Sequence, residues 1–369
     1  MKSTSAVALN CRFSGTLQPT CTQTAAFALF DAIVRLPGRE CPLVVFADPR
    51  FPGVARWADV RDLTLIPVPF SQWSRGKAQL WEQFVLPGLC RKMHCGVAHH
   101  PMTTSPFLTR GVKNLVTLHD LNFLKHPEWY SRAFRAVYSF AALPGLLRAW
   151  RVVAVSDYIR NDASQRLGID QERLRRVYNG VRFTPHADPF AHSNVPYILC
   201  VGSLQPHKNL ARLILAFRQL RERQPDLELW IAGRPEDGFS AMPELEELLD
   251  TPGLQMPGYL SDDELQAAYA NALVFCYPSL DASFGLPILE AMICGTLVVA
   301  SNASCLPEIA GGHAEFVDPL SPHSIASGIQ TILDLAPDQR DTRVRAARGW
   351  AEAFSWQNAA WQYLRIYEE

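Results

Sequence analysis

Short apolar runs alternate with longer amphipathic stretches along this chain. Residues 6–9, 43–46, 115–118 and 152–155 read as buried strands. Each is short, apolar and bounded by polar or turn residues. Residues 25–36 and 156–167 read as helices between them. The second half repeats the scheme, with strands expected at 197–201, 227–232, 273–277 and 297–300. Helices are expected there at 209–223, 243–249, 262–272 and 287–293. Ser261 followed by Asp262, Asp263 and Glu264 marks a helix start, because the hydroxyl caps the first turn and acids suit the positive end of the dipole. Strands alternating with helices predict parallel, doubly wound sheets with right-handed crossovers. Two such sets predict an α/β protein of two Rossmann-like domains facing across a cleft, with ligands at the carboxyl ends of the strands. The break is expected within 183–196, which holds Pro185, Pro189 and Pro196 and little apolar periodicity. The domains would then cover 1–185 and 190–354.

Length agrees, since 369 residues suit two domains. Hydrophobic residues make up 48% of the chain and charged ones 19%, a globular balance. No apolar run reaches the ~18 residues of a membrane span, and the apolar stretch 6–10 is too short for a signal peptide. A cytoplasmic location is therefore expected. The nine cysteines are scattered through apolar runs, the usage of a reduced compartment. Cys90, Cys95, His99 and His100 raise a zinc question, but their spacing departs from the tight ligand pairs of structural sites. The plain reading is a strand end and a loop, with no metal. The net charge of −1 hides an asymmetry: residues 1–180 carry 23 Lys and Arg against 12 Asp and Glu, and residues 181–369 carry 12 against 24. A basic half points to an anionic partner, whether nucleic acid, an anionic membrane or a phosphorylated acceptor. No recognisable nucleic-acid module accompanies the charge, so nucleic acid is set aside.

Three stretches carry candidate chemistry. Residues 277–296 (Tyr-Pro-Ser-Leu-Asp-Ala-Ser-Phe-Gly-Leu-Pro-Ile-Leu-Glu-Ala-Met-Ile-Cys-Gly-Thr) follow a strand, turn through Ser283, Phe284 and Gly285, and enter a helix near Pro287. The N–H groups of Phe284, Gly285 and Leu286 are then free to point at an anion, which the helix dipole also favours. Glu290, one turn in, either accepts hydrogen bonds from the vicinal hydroxyls of a ribose or is an ordinary surface Glu. In residues 201–210 (Val-Gly-Ser-Leu-Gln-Pro-His-Lys-Asn-Leu), Gly202 permits close approach of backbone to ligand, and Lys208 is a flexible point charge suited to a diphosphate. A lysine at a helix start is electrostatically poor for stability, which favours function there. In residues 116–122, His119 and Asp120 follow a buried strand. The pair either serves the cleft, with Asp120 orienting the ring, or is structural.

Taken together these stretches resemble glycosyltransferase family 4, the group 1 type of transferases with the GT-B fold. Ser301-Asn302, Leu306-Pro307-Glu308 and Val317-Asp318-Pro319 continue the donor loop in order, and Val155-Ser156, Leu167-Gly168-Ile169 and 177–181 (Val-Tyr-Asn-Gly-Val) resemble the end of the family's first domain. The resemblance runs from about residue 112 to 335. It implies that Lys208, helped by Gly202, Ser203 and His207, binds a donor diphosphate. It implies that Ser283, Phe284, Gly285 and Leu286 hold phosphates or sugar, that Glu290 binds the nucleotide ribose, and that Tyr259 and Leu260 border the base. His119 would stand beside the donor sugar at the reaction centre, with Gly15 and Asp120 on the acceptor side. The family works with retention and without a bound metal or other cofactor. The nucleotide sugar is a substrate, and the C-terminal helix 355–369 crosses back to the first domain, with Trp356, Trp361, Tyr363 and Ile366 as its apolar anchors.

Three departures stand out. The family usually has two Glu eight positions apart in the donor loop, and position 282 is Ala here, with Asp281 adjacent. The basic residue often found before the family lysine is His207, and residues 19–23 lack the glycines of the first domain's turn. An altered or non-catalytic nucleotide-binding homologue is the alternative reading. Overall resemblance to bacterial polysaccharide mannosyltransferases makes GDP-mannose the expected donor, with UDP- and dTDP-sugars open, and a glycan or polyprenyl-diphosphate-linked acceptor. Residues 132–151 combine arginines with aromatics and leucines. They suit either an anionic membrane surface or a core helix interrupted at Pro144-Gly145. A dehydrogenase would share the doubly wound sheet, but no strand leads into G-x-G-x-x-G.

Overall fold

The computed structural model describes residues 5–15, 20–184, 195–235 and 243–369. The chain divides into two compact units. One comprises Met1–Phe123, Arg135–Gly180 and Ser355–Glu369, the other Leu124–Phe134 and Val181–Phe354. The break expected within 183–196 falls largely on 185–194, outside the described residues.

The first unit is built on a seven-stranded sheet: β1 (Ala6–Asn10), β2 (Leu43–Ala47), β3 (Leu63–Pro67), β4 (Cys95–His100), β5 (Lys113–Leu118), β6 (Arg151–Ala154) and β7 (Leu174–Arg176). Its order is β3-β2-β1-β4-β5-β6-β7, and every pairing is parallel. The chain works outward from β1 in one direction and then returns to place β4 on its other side. The switch point therefore lies between β1 and β4. Residues 95–100, expected as a strand end and loop, form the central strand β4. Its apolar signal is broken by Gly96, His99 and His100. The two imidazoles are tolerated inside because both are hydrogen-bonded. His99 bonds the Tyr367 hydroxyl at 2.6 Å and the Thr117 hydroxyl at 2.8 Å.

The helix Cys21–Arg35 starts earlier than its apolar pattern does, because Thr20 and Gln23 form a capping box. Its buried Ala26, Leu29, Phe30 and Ile33 share one core with the C-terminal helix Trp356–Glu368. Tyr363, Leu364, Ile366 and Tyr367 of that helix are buried, while Trp361, expected as an anchor, is 41% exposed. Its indole lies on the outer face of a helix whose inner stripe is already filled. The helix Arg132–Arg148 runs through Pro144 rather than breaking there. A proline inside a helix costs one internal hydrogen bond and crowds the preceding turn, and the remaining turns hold it.

The second unit carries a six-stranded parallel sheet: β8 (Tyr197–Val201), β9 (Glu228–Ala232), β10 (Leu254–Gly258), β11 (Val274–Tyr277), β12 (Val298–Ser301) and β13 (Ala314–Val317). The order β10-β9-β8-β11-β12-β13 places the switch point between β8 and β11. Ser261 caps the helix Asp262–Asn271 through a capping box with Glu264, as its sequence implies. The edge strands β10 and β13 are only half-buried, so they lack the apolar run that marks the inner strands.

Candidate functional site

The carboxyl end of the second sheet gathers twelve of the predicted residues: Gly202, Ser203, His207, Lys208, Tyr259, Leu260, Asp281, Ser283, Phe284, Gly285, Leu286 and Glu290. The turns after β8 and β9 meet backbone to backbone. A Cβ at Gly233 would lie 1.8 Å from the Gly202 carbonyl oxygen, so no larger residue fits. Lys208 ends the turn Pro206–Lys208, and its ammonium lies 4.8 Å from the centre of the Tyr277 ring. It donates to the Tyr277 hydroxyl at 2.6 Å. Tyr277 closes β11, so this bond spans the switch point. Asn209 takes the left-handed conformation immediately before the helix Leu210–Arg221, whose first N–H groups its side chain does not cap. Its side-chain amide donates to the carbonyls of Pro278 at 3.0 Å and Pro319 at 2.6 Å, which ties the lysine turn to two neighbouring loops. Burial, then the charges of Lys208 and His126, push the His207 imidazole toward its neutral form.

Gly285, with φ of 90°, opens the helix Leu286–Ile293. The first N–H groups of a helix have no internal acceptor. Those of Gly285 and Leu286 lie at the dipole's positive end. The Phe284 side chain is buried with its ring edge-on to Phe354 at 6.1 Å, so it can contribute to a ligand through its backbone alone. Ser283 is half-buried in the same turn. Glu290, one turn along, is buried. Its Oε1 accepts from Arg182 Nε at 2.7 Å and its Oε2 from the Tyr269 hydroxyl at 3.0 Å. Arg182 also donates to Asp262 at 2.6 Å. Burial first, and then the neighbouring Glu290 charge, push the Tyr269 phenol well up, so it stays protonated as a donor. Each carboxylate oxygen accepts more than one bond, so Glu290 keeps capacity for a ligand hydroxyl.

Asp281 is buried in the loop that the sequence singles out, and it forms an ion pair with Lys125. The His126 imidazole lies 3.5 Å from the same carboxylate and stacks on Trp129 with ring centres 3.8 Å apart. Trp129 in turn packs against His207 at 5.7 Å. Residues 124–134 thus belong to the second unit and buttress its lysine turn and its acidic loop. Ala282 N donates to the Ser304 hydroxyl at 3.0 Å, which sets the turn next to Asp281. Tyr259 is 51% exposed after β10, with the Arg234 guanidinium 5.7 Å from its ring centre, and Leu260 beside it is half-buried. Sequence reasoning missed Lys125, Arg182, Tyr269 and Tyr277 as partners. Each is distant in sequence from the group it holds, and only Tyr277 lies inside a flagged motif.

His119, Asp120 and Gly15 belong to the first unit. The His119 ring is buried and its Nε2 bonds the Pro101 carbonyl at 2.8 Å. Burial lowers its pKa to about 4, so the ring is neutral near pH 7, with Nε2 as donor and Nδ1 as the acceptor nitrogen. Asp120 accepts from Asn122 N at 3.0 Å in the turn that leads into the short helix Asn122–Lys125. Gly15 ends the turn Arg12–Gly15, where a Cβ would come 3.2 Å from Phe70. A further polar cluster lies at this sheet's switch point. Asn10 at the end of β1 donates to Glu82 at 2.6 Å and lies 3.2 Å from His100 at the end of β4. Burial opposes ionisation of Glu82, yet Arg12, His100 and Thr104 hold its pKa down to about 2. His100 is further bonded to Asn114, and with His99 also committed, both rings serve structure. Among the described residues no group of three or more His, Cys, Asp or Glu side chains is placed to hold a metal ion.

A cation, a helix N-terminus and a buried carboxylate at one switch point suit a ligand with both phosphates and vicinal hydroxyls. Comparison with known proteins bears on the family. The profile described as Glycosyl transferases group 1 matches residues 183–350, and that described as Glycosyltransferase Family 4 matches residues 28–185. The chain is 29% identical over 271 residues to O-antigen chain mannosyltransferase B of Escherichia coli, covering 69% of this chain and 70% of that one. It is 26% identical to O-antigen chain mannosyltransferase RfbU of Salmonella typhimurium, covering 67% of this chain and 66% of that one. Among solved structures, sucrose-phosphate synthase from Thermosynechococcus elongatus superposes with a TM-score of 0.73 at 21% identity, covering 99% of this chain and 98% of that one. At that identity the likeness shows the fold alone, which is the GT-B arrangement of two Rossmann-like domains.

Proposed function

We propose that this chain, which belongs to glycosyltransferase family 4 of the group 1 type and is a hexosyltransferase, moves mannose from GDP-mannose to a glycan or polyprenyl-diphosphate-linked acceptor with retention at the anomeric carbon. The single observation that carries the nucleotide-sugar reading is the Lys208 ammonium, fixed by Tyr277 at the switch point of the sheet that also holds Glu290. The donor's diphosphate takes the ammonium and the N–H groups of Gly285 and Leu286. The ribose hydroxyls donate to Glu290, and Tyr259 and Leu260 border the base. As the bond to the sugar breaks, negative charge grows on the departing diphosphate. Preorganised donors and the helix dipole stabilise that charge more than the ground state, which is the catalytic effect. No metal is needed in this scheme, because the ammonium and the dipole supply the positive charge. His119 is the residue that the family resemblance puts beside the donor sugar, and its ring is neutral and held by Pro101.

Mannose as the sugar is supported by the names of the relatives, two of which are O-antigen mannosyltransferases. Ala282 supports a second reading, a homologue that binds nucleotide without turnover, because the resemblance puts a sugar-contacting Glu there. A thermal-shift panel of GDP, UDP and dTDP with their sugars, followed by turnover of the stabilising donor, separates the two. A ligand that binds the native state raises the melting temperature. A shift with turnover supports the transferase. A shift without turnover supports the second reading, and no shift with any nucleotide overturns both.

A further inference from the structure

Four large apolar side chains of the first unit stand in solvent: Leu80, Phe84, Leu108 and Phe140 are 60%, 66%, 66% and 73% exposed. They are neighbours. Leu80 and Phe84 lie one turn apart on the helix Arg75–Phe84. The adjacent Gln83 donates to the Ser105 carbonyl at 3.0 Å and accepts from Phe107 N at 3.3 Å, which fixes the loop carrying Leu108 against that helix. Phe107 meets the Phe140 ring edge-on at 6.4 Å, which brings in the helix Arg132–Arg148. Leu147, two turns after Phe140, is exposed as well. Soluble monomers keep large apolar side chains scattered, so a cluster of this kind marks a surface that is covered by something.

The charge around it says what kind of surface covers it. From Leu63 to His119 the sequence has six Lys and Arg and one acidic residue, Glu82, which is buried. From Trp129 to Ser156 it has four Arg and no acid. Lys77 shares the helix face of Leu80 and Phe84, three and seven residues ahead of them. Lys77 and Arg110 are exposed on the same helix and loop as these apolar side chains, and Glu82, the acidic residue of that first stretch, is buried. A protein partner or a second copy of the chain would bring charges of both signs. A lipid bilayer with anionic headgroups brings one sign, with an apolar layer beneath for the Phe and Leu side chains.

We infer that Leu80, Phe84, Leu108 and Phe140, with Lys77 and Arg110 beside them, form a docking surface for an anionic lipid membrane. The inference deepens the reading of a membrane-held acceptor and rests on it. The test is flotation of the full chain with vesicles of phosphatidylcholine alone and with vesicles half of whose lipid is phosphatidylglycerol. The chain floats with the anionic vesicles only. Replacing two apolar anchors (F84S with F140S) lowers the bound fraction at least about tenfold. Reversing two charges (K77E with R110E) does the same, since each basic side chain near an anionic surface is worth about a fivefold change in partitioning. Nucleoside diphosphate binding, measured on the same samples by thermal shift, stays at the parent level. It confirms that the variants fold, and it lets the docking surface fail without the transferase reading failing. Absence of binding to anionic vesicles, or equal binding to neutral ones, overturns the inference. A dimer in sedimentation that the F84S/F140S variant dissolves also overturns it, because a second copy would then be the cover.

Discussion

Lys208 donates to the Tyr277 hydroxyl at 2.6 Å, across the gap between β8 and β11 where the chain's path through the sheet reverses. The bond joins two elements far apart in sequence, and it holds a flexible ammonium above a buried ring. Lysine carries three donors, so one bond to Tyr277 leaves the others for phosphate oxygens. Lys208→Ala removes the cation, and hydrogen bonds to charged groups are worth about 1.5–3 kcal/mol. The Kd for GDP should therefore rise about 10- to 100-fold by titration calorimetry. Tyr277→Phe keeps the charge and removes only its anchor. Its effect should be smaller, about fivefold, in line with a net hydrogen bond of about 1 kcal/mol. Unchanged affinity in Lys208→Ala would place the diphosphate elsewhere.

Glu290 is held by Arg182 at 2.7 Å and Tyr269 at 3.0 Å, and the consequences of mutation are unequal. Arg182→Ala strands a buried carboxylate, which costs about 3 kcal/mol when a buried pair loses one partner. Glu290→Gln keeps an acceptor oxygen and leaves Arg182 with Asp262, so the fold should lose less than in Arg182→Ala. Denaturant titration of the two variants checks this order. The ribose assignment has its own readout. Glu290→Gln should weaken GDP several-fold while leaving the affinity for 2′,3′-dideoxy-GDP nearly unchanged, because that analogue has no hydroxyls for the carboxylate to bind. Equal losses for both nucleotides would assign Glu290 to structure.

Much of this was legible before the structure. The inner strands of both sheets are short apolar runs, and Ser261 announces its helix by local chemistry. Lys208 and Gly285 sit in turns where strand ends meet helix starts, with Glu290 one turn into the helix that follows, which makes them readable from spacing. The edge strands β3, β10 and β13 are largely half-buried or exposed, and Thr64, Gln255 and Glu315 interrupt their apolar residues, so no clean apolar run marks them. β4 was hidden for another reason. Its His99 and His100 look like ligands or loop residues until Tyr367, Thr117, Asn10 and Asn114 are seen to satisfy them. Arg182, Lys125 and Tyr269 could not be found from pattern at all. Their partners are tens to hundreds of residues away, and hydrophobic periodicity says nothing about polar pairing at that range.

Position 281 offers a sharper test of the loop that departs from the family. Asp281 is buried and paired with Lys125, with His126 at 3.5 Å. A carboxylate so placed, next to Ala282, is the candidate for the sugar-reading group that the loop otherwise lacks. Asp281→Asn keeps the shape and removes the charge. Its kcat/KM for the nucleotide sugar should fall at least about tenfold, the scale of one charge-assisted hydrogen bond. Its Kd for GDP should stay near the parent value, because the diphosphate and ribose groups are untouched. A variant that loses GDP as well would show that Asp281 supports the loop rather than reads the sugar.

The His119 ring makes the last prediction, which concerns pH. Burial lowers its pKa to about 4, while an unfolded histidine titrates near 6.5. Between those values the unfolded chain takes up a proton that the native chain refuses. Stability therefore rises with pH across that window, is fully present above about 6.5, and is lost as pH falls toward 4. The single group accounts for about 2 kcal/mol between pH 7 and pH 5 by the same linkage. His99 and His207 are displaced in the same direction by burial, so they add to the slope. The test is the difference between the parent and His119→Gln, whose amide can still donate to the Pro101 carbonyl but does not titrate. Urea unfolding at pH 7 and pH 5 should show a steeper loss of stability in the parent. Parallel losses in the two proteins would mean that the native His119 binds its proton as readily as the unfolded one, and the neutral, Nδ1-accepting ring would have to be given up.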